Sequence, residues 1–204
     1  FHFDDSHTIQ SNIYIQNIKN IPLFFKDGAT FSSLPSNQSY RPVLSTSLAI
    51  DYWLGNGLTD TFQFHLTSYL LFVIIGALLF LFYQKILSYS EEGPTLLLVS
   101  LIATAFYLLH PACAETVNYI IQRGDMFAAF FLVLGFVLYA YVPLCRQYYL
   151  YLPVIFIGIL AKPNTLVFAP LFLIYQYLFE YRLTGKDIVD VTKYGKVIFA
   201  SLGA

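Results

Sequence analysis

Long apolar runs dominate the chain after residue 65. Five of them contain no charged side chain: Leu66 to Tyr83, Thr95 to Leu109, Met126 to Leu144, Tyr148 to Ala161 and Asn164 to Phe179. A helix rises about 1.5 Å per residue and the hydrocarbon core of a membrane is about 30 Å thick, so the first and third runs are long enough to span it. The second and fourth are shorter, as expected of tilted or re-entrant helices. The pattern predicts an all-α polytopic membrane protein.

The fourth and fifth runs meet at the sequence AKPN, where Pro163 ends one helix and can start the next. Either a hairpin or a re-entrant pair fits this break. In both cases the two far ends of the pair return to the same side of the membrane.

The cationic residues of the short loops predict the orientation of the chain, because cytoplasmic loops carry an excess of Lys and Arg. Outside the long first segment, one side receives only Arg123 and Lys162. The other side is therefore predicted to be cytoplasmic, and it receives Lys85, Arg146, Arg182, Lys186, Lys193 and Lys196. We expect residues 1–64 to form an extracytoplasmic loop, and residues 65–204 to form about five spans and the start of another.

The outer loop contains one predicted helix of its own. In YRPVLSTSLAIDYWLGNG, Pro42 is placed at a first helical turn and Gly55 at a stop. Tyr52 and Trp53 are suited to the depth of lipid headgroups. The sequence predicts an interfacial helix that lies on the membrane.

Composition narrows the possible functions further. Apolar residues make up 57% of the chain and charged residues 11%, the balance of an integral membrane protein. The net charge of −1 leaves no basic face for nucleic acid. Cys113 and Cys145 are predicted on opposite sides of the membrane, so they cannot pair with each other. The chain begins with Phe1 and not with Met, and a new apolar run begins near its last residues. We therefore expect it to be a piece of a longer protein.

Two adjacent carboxylates, Asp4 and Asp5, precede His7 at the start of the outer loop. Neighbouring side chains of an extended backbone point to opposite sides, so this pair does not readily chelate one ion. Asp5 and His7 could share a face. Two interpretations stay open: the pair caps a helix or turn, or one carboxylate acts alone as a catalytic base.

A second charged stretch follows the helix break at His110 and Pro111, with Glu115, Arg123 and Asp125 close behind it. Such charge density beside a bilayer is costly without partners. It indicates either an ion-pair network that shapes the loop, or a site where Arg123 binds a lipid phosphate through two parallel hydrogen bonds.

Further outer residues are candidates for the same site. Arg41 and Lys162 are either cations that contact lipid headgroups or, together with Arg123, the ligands of one anion. His65 and His110 lie at helix boundaries, where a lone histidine usually has a structural role. No spacing of His, Cys, Asp and Glu is typical of a metal site.

Several motifs in their order along the chain carry a family resemblance. The chain resembles the amino-terminal membrane half of the transmembrane and tetratricopeptide-repeat O-mannosyltransferase-like proteins, which are glycosyltransferases of the GT-C fold. The motifs are DD, YRPVLSTSLAIDYWLG, FHLTSYLLFVIIGALLF, ATAFYLLHPACAETVNYIIQRGDMFAAFF and ILAKPNTLVFAPLFLIYQYLF. In two places the chain departs from the pattern: Pro163 follows Lys162 where relatives often have Glu, and HPACAE replaces a more polar loop.

The resemblance implies a GT-C-like bundle and a polyprenyl-phosphate sugar donor. It also implies chemistry on the extracytoplasmic or lumenal face, with Asp4 and Asp5 as the acidic motif. A sugar such as mannose would pass to an acceptor hydroxyl on a protein or glycan. No cofactor is firmly implied and a divalent metal stays open. A bacterial inner membrane is favoured over the endoplasmic reticulum. The alternatives are a non-catalytic scaffold of the same fold or, less favoured, a transporter.

Overall fold

The computed structural model describes residues 3–58 and 61–180, and within these ranges the chain is helical, without strands. Seven helices there have seven or more residues: α1 Pro42–Leu54, α2 Phe62–Leu87, α3 Gly93–Leu108, α4 Ala112–Asn118, α5 Arg123–Tyr141, α6 Tyr151–Ala161 and α7 Phe168–Tyr175. Shorter helical segments join them, at Ser6–Gln10, Ile18–Asn20, Ile21–Phe24, Gly28–Phe31, Pro35–Asn37, Ile120–Gln122, Pro143–Gln147, Pro163–Val167 and Gln176–Glu180.

Two helices in the described ranges are long and apolar enough to cross a membrane. They are Phe62–Leu87 and Ile120–Tyr141, the second of which includes α5. A third span results if α3 and α4 are taken together, although they are bent by 61° where His110 and Pro111 separate them. The prediction of an all-α chain is therefore confirmed for the described residues, which include two or three candidate membrane-spanning helices.

The structure does not reproduce the predicted count of five spans. The run at Tyr148 to Ala161 yields a helix of only 11 residues, Tyr151–Ala161, which is about 17 Å long at the usual rise per residue. The backbone is extended at Lys162, because Pro163 cannot continue the hydrogen bonding of α6. The run after it divides into three short helical segments. The predicted start of a further span lies outside the described residues.

Helix α1 has the bounds that the sequence predicts. Pro42 occupies its first turn, where a missing N–H costs nothing, and Gly55 caps its end by donating to the carbonyl of Asp51 at 2.8 Å. Leu44 and Leu48 are buried, whereas Trp53 on another face is 59% exposed. The position of this helix on a membrane surface stays a prediction.

The outer loop has a hydrophobic core that it shares with the membrane helices. Its own residues fill most of that core, but Phe64 of α2 and Ile120 before α5 are also fully buried in it. The loop is thus packed onto one end of the bundle, here called the outer end. The other members of this core are Ile9, Ile15, Phe24, Phe31, Leu44, Leu48 and Ala49.

At the opposite end of the bundle, contacts join the chain beyond Lys85, and Arg146, to the last described residues. The Tyr89 hydroxyl, beyond Lys85, is 3.4 Å from that of Tyr175. Arg146 pairs with Glu180 through Nη2 and Oε2 at 2.5 Å. Which side of the membrane this end faces stays a prediction, and the remaining cations predicted on the cytoplasmic side lie outside the described residues.

Gly158 of α6 allows α5 and the segment after α6 to approach this helix closely. A Cβ atom on Gly158 of α6 would lie 2.6 Å from Cβ of Phe131 and 2.7 Å from Cγ2 of Thr165. Real Cβ atoms do not come this close, so a larger residue at 158 would force the three segments apart.

We expect Gly158→Ala to destabilise the protein by about 1 to 3 kcal/mol, because overpacking displaces backbone as well as side chains. Thermal unfolding in detergent measures this. Gly28→Ala is the matched control, since a Cβ there would meet Tyr40 at an ordinary 3.4 Å. Equal unfolding temperatures for the two variants would contradict the close helix approach.

Candidate functional site

Arg123, at the start of α5, is fully buried and is the largest such side chain in the described residues. Its Nη1 donates to Oδ2 of Asp51 at 2.5 Å and to the Ser47 hydroxyl at 3.3 Å. Its Nε donates to the Ser68 hydroxyl at 3.1 Å, and its Nη2 donates to the carbonyl of Phe64 at 2.6 Å. Every nitrogen of the guanidinium therefore has a protein partner.

Asp51 completes this ion pair from α1. Its side chain is 2% exposed, and its second oxygen accepts a hydrogen bond from the Thr67 hydroxyl at 2.7 Å. Burial raises the pKa of the Asp51 carboxyl, and the adjacent Arg123 guanidinium limits that rise. Sequence reasoning missed Asp51. The available signal was its place three residues after Leu48, which puts the two side chains on the same face of α1.

The structure answers the question that the sequence left open about Arg123. An ion-pair network exists, but its partner is Asp51 and not Glu115 or Asp125. Because Arg123 has no exposed surface, a lipid phosphate cannot reach its guanidinium unless α1, α2 and α5 move apart. Direct binding of phosphate by Arg123 has no support in this geometry.

Asp5 is the buried member of the acidic pair. It is 0% exposed, and its Oδ1 accepts a hydrogen bond from the backbone N–H of Ile121 at 3.0 Å. Its charge also attracts the Arg123 guanidinium. The expected extended backbone was wrong, because a helical turn at Ser6–Gln10 directly follows Asp5. Asp5 thereby connects the outer loop to the start of α5.

Asp4, not Asp5, contacts His7. The helical turn brings residues three apart together, so Oδ1 of Asp4 lies 3.3 Å from Nε2 of His7, and the Asp4 side chain is 56% exposed. The Asp4 backbone N–H donates to the Tyr119 hydroxyl at 3.0 Å. The His7 ring also contacts Ser32 and Asn37. The accessible carboxylate of the pair is therefore Asp4.

Arg41 and Lys162 both approach Gly124. A Cβ atom on Gly124 would lie 3.6 Å from Cδ of Lys162 and 3.9 Å from Nη1 of Arg41. Nζ of Lys162 pairs with Oδ1 of Asp125 at 2.5 Å, and the Arg41 guanidinium lies over the Phe31 ring at 5.0 Å. Burial lowers the pKa of Arg41, and the negative charge of Asp125 opposes this.

The acidic pair and the two cations border one stretch of chain, residues 119–125. Asp4 contacts Tyr119 and Asp5 contacts Ile121, whereas Lys162 contacts Asp125 at the other end of the stretch. This stretch is the turn that leads into α5, here called the α5 entry turn. An accessible carboxylate therefore borders one end of this turn and two partly exposed cations, which could hold an anionic ligand, border its other end.

The other predicted supporting residues make contacts of their own. Nδ1 of His110 accepts from the N–H of Ala112 at 3.2 Å, and Glu115 accepts from the Gln122 amide at 3.3 Å. His65 lies in the first turn of α2. These contacts of His110 and Glu115 do not involve Asp4. Within residues 3–58 and 61–180, no group of three or more His, Cys, Asp and Glu residues could hold a metal ion.

Comparison with curated proteins found two related sequences. The chain is 32% identical over 148 residues to protein O-mannosyl-transferase TMTC4 of mouse and to that of human. The match covers 68% of this chain and 20% of each relative, so the chain spans about a fifth of the length of these relatives. The similarity supports a relationship to the TMTC-like proteins. No protein-family profile and no solved structure matches the chain.

We expect Asp51→Asn and Arg123→Met each to destabilise the protein by about 3 to 5 kcal/mol, because each leaves a buried charge or donor without its partner. Combining Asp51→Asn with Arg123→Met should cost less than the sum of the single changes. Lys85→Gln is the control, since Lys85 only lies against the Tyr89 ring at 5.2 Å. Urea unfolding in detergent measures all four. Additive losses would contradict a coupled pair.

Proposed function

We propose that this protein belongs to the membrane part of a glycosyltransferase that moves a sugar from a polyprenyl-phosphate donor to a protein hydroxyl. The relatives' name supports sugar transfer to proteins, with mannose as the first candidate sugar. The observation that carries the proposal is the α5 entry turn, bordered by an exposed carboxylate at one end and two cations at the other.

Asp4 is the proposed general base. A base must approach the proton that it removes to about 2.6 to 3.2 Å, so it needs a surface that the acceptor can touch. Asp4 has that surface, whereas Asp5 is fully buried and accepts from the Ile121 N–H. Asp5 is instead proposed to hold the acidic motif on the α5 entry turn.

Arg41 and Lys162 are the proposed ligands of the donor phosphate. A phosphate is a weakly basic leaving group, so its departure requires cations to neutralise its charge and no strong general acid. Lys162 is 18% exposed and is paired with the more exposed Asp125. Phosphate would replace Asp125 as the partner of Lys162, and the buried Arg123 would act only through the structure it stabilises.

The proposed compartment follows from the relatives. Both are mammalian proteins, which leans against the bacterial inner membrane that the sequence favoured. We place the protein in a eukaryotic internal membrane such as the endoplasmic reticulum, with the outer end of the bundle on the lumenal side.

Substitution of the two carboxylates in the full-length protein tests the proposal. Asp4→Asn should lower kcat about 100-fold to 10,000-fold with little change in donor KM, because it keeps the shape of the side chain and removes the base. Asp5→Asn keeps an oxygen for the Ile121 N–H and should retain most of the turnover. The measurement is transfer of mannose from a polyprenyl-phosphate donor.

Circular dichroism and gel filtration of both variants provide the control for folding. If Asp4→Asn turned over at the wild-type rate, Asp4 would not be the base. If the wild-type protein also transferred no sugar, a non-catalytic scaffold would replace the glycosyltransferase proposal.

A further inference from the structure

We propose that His7 is a positioning residue that fixes which oxygen of Asp4 faces the acceptor, and that Ser32 holds His7 in the tautomer required for this. The inference rests on the proposed function, because it concerns the same carboxylate. The evidence is a pair of hydrogen bonds made by the His7 ring: one to Ser32 and the other to Asp4.

We assign the tautomer of the His7 ring from its contact with the Ser32 hydroxyl. Oγ of Ser32 accepts from the N–H of Leu34 at 3.0 Å, and its own proton has two available acceptors. These are Nδ1 of His7 at 3.0 Å and the carbonyl of Leu34 at 3.3 Å. The shorter contact favours donation to Nδ1. In the neutral ring the proton then resides on Nε2.

A proton on Nε2 is what Asp4 requires. Nε2 lies 3.3 Å from Oδ1 of Asp4 and can donate only when it carries the proton. The Asn37 side-chain amide is 3.2 Å from the same nitrogen, and a half-turn of that amide presents its oxygen to the N–H. Asp4 and Asn37 can therefore share one donor, with Asp4 bearing the charge.

Further hydrogen bonds to the backbone hold His7 and Asp4 in place. The carbonyl of His7 accepts from the N–H and from the hydroxyl of Ser33, both at 3.0 Å. The carbonyl of Asp4 accepts from the N–H of Thr8 at 3.0 Å and from its hydroxyl at 2.6 Å, while the Asp4 N–H donates to Tyr119. An exposed Asp–His pair alone adds little stability, so this degree of anchoring favours a role in orientation.

The consequence concerns the two oxygens of Asp4. Oδ1 is engaged by His7, the Tyr119 hydroxyl also interacts with the carboxylate, and the Asp4 side chain is 56% exposed. Because His7 holds Oδ1, Oδ2 is the oxygen that we propose faces the proton of the acceptor hydroxyl. Without His7 the carboxylate can rotate, and a misdirected base loses rate even though its chemistry is intact.

Kinetics of the full-length protein test this, with polyprenyl-phosphate mannose as donor and a serine-containing peptide as acceptor. We expect His7→Ala to lower kcat about 10-fold to 100-fold, with donor KM and unfolding temperature unchanged. His7→Gln should restore most of the loss, because the glutamine Nε2 can occupy a position close to that of the imidazole Nε2. Asn20→Ala is the matched control: it removes a 2.9 Å hydrogen bond to the carbonyl of Tyr14 in the same outer loop.

Three results would overturn the inference: wild-type kcat in His7→Ala, no recovery in a folded His7→Gln, or an equal loss in Asn20→Ala. If His7→Ala does not fold, Ser32→Ala takes its place, and an unchanged kcat in that variant contradicts the role of Ser32 and His7. Asp4→Asn separates this inference from the proposed function. An inactive Asp4→Asn beside a fully active His7→Ala would refute only the positioning role, whereas an active Asp4→Asn would refute the base itself.

Discussion

The buried ion pair between Arg123 and Asp51 constrains the rest of this structure. Removing a guanidinium from water costs free energy, so a fully buried one is stable only when a negative charge neutralises it and its N–H groups have acceptors. Here the partners come from α1 and α2, and the cation comes from α5. The outer loop is thereby attached to the membrane helices at one defined point.

That attachment places the α5 entry turn against the outer loop. Ile120, three residues before Arg123, is fully buried in the core of the loop, and Asp5 accepts from the N–H of Ile121. Two residues after Arg123, Asp125 pairs with Lys162 from the break after α6. The buried ion pair is thus joined to the candidate site through the α5 entry turn, and we propose that it orients the residues of the site without touching the donor.

Local signals in the sequence were sufficient for much of the helical structure. Pro42 and Gly55 predicted the bounds of α1, and the apolar run from Leu66 indicated α2. The sequence also predicted the break at Pro163, where the structure has an extended Lys162. Hydropathy did not show that the apolar run before this break forms a helix of only 11 residues.

The candidate site was only partly predictable, because its contacts depend on distant parts of the chain. The sequence indicated Asp4, Arg41 and Lys162 as residues of one face, but not which carboxylate is exposed. That depends on the turn at Ser6–Gln10 and on the Ile121 N–H, 116 residues away along the chain from Asp5. Asp51 was missed because one carboxylate in an apolar helix has no visible partner until the fold supplies Arg123.

A structure of the full-length protein with a bound polyprenyl phosphate tests the central claim most directly. The account predicts phosphate oxygens within about 3 Å of Arg41 and Lys162, Asp125 displaced from Lys162, Asp4 facing the phosphate, and the Arg123–Asp51 pair intact. A phosphate bound at the opposite end of the bundle, or one held by Arg123 after separation from Asp51, would contradict it.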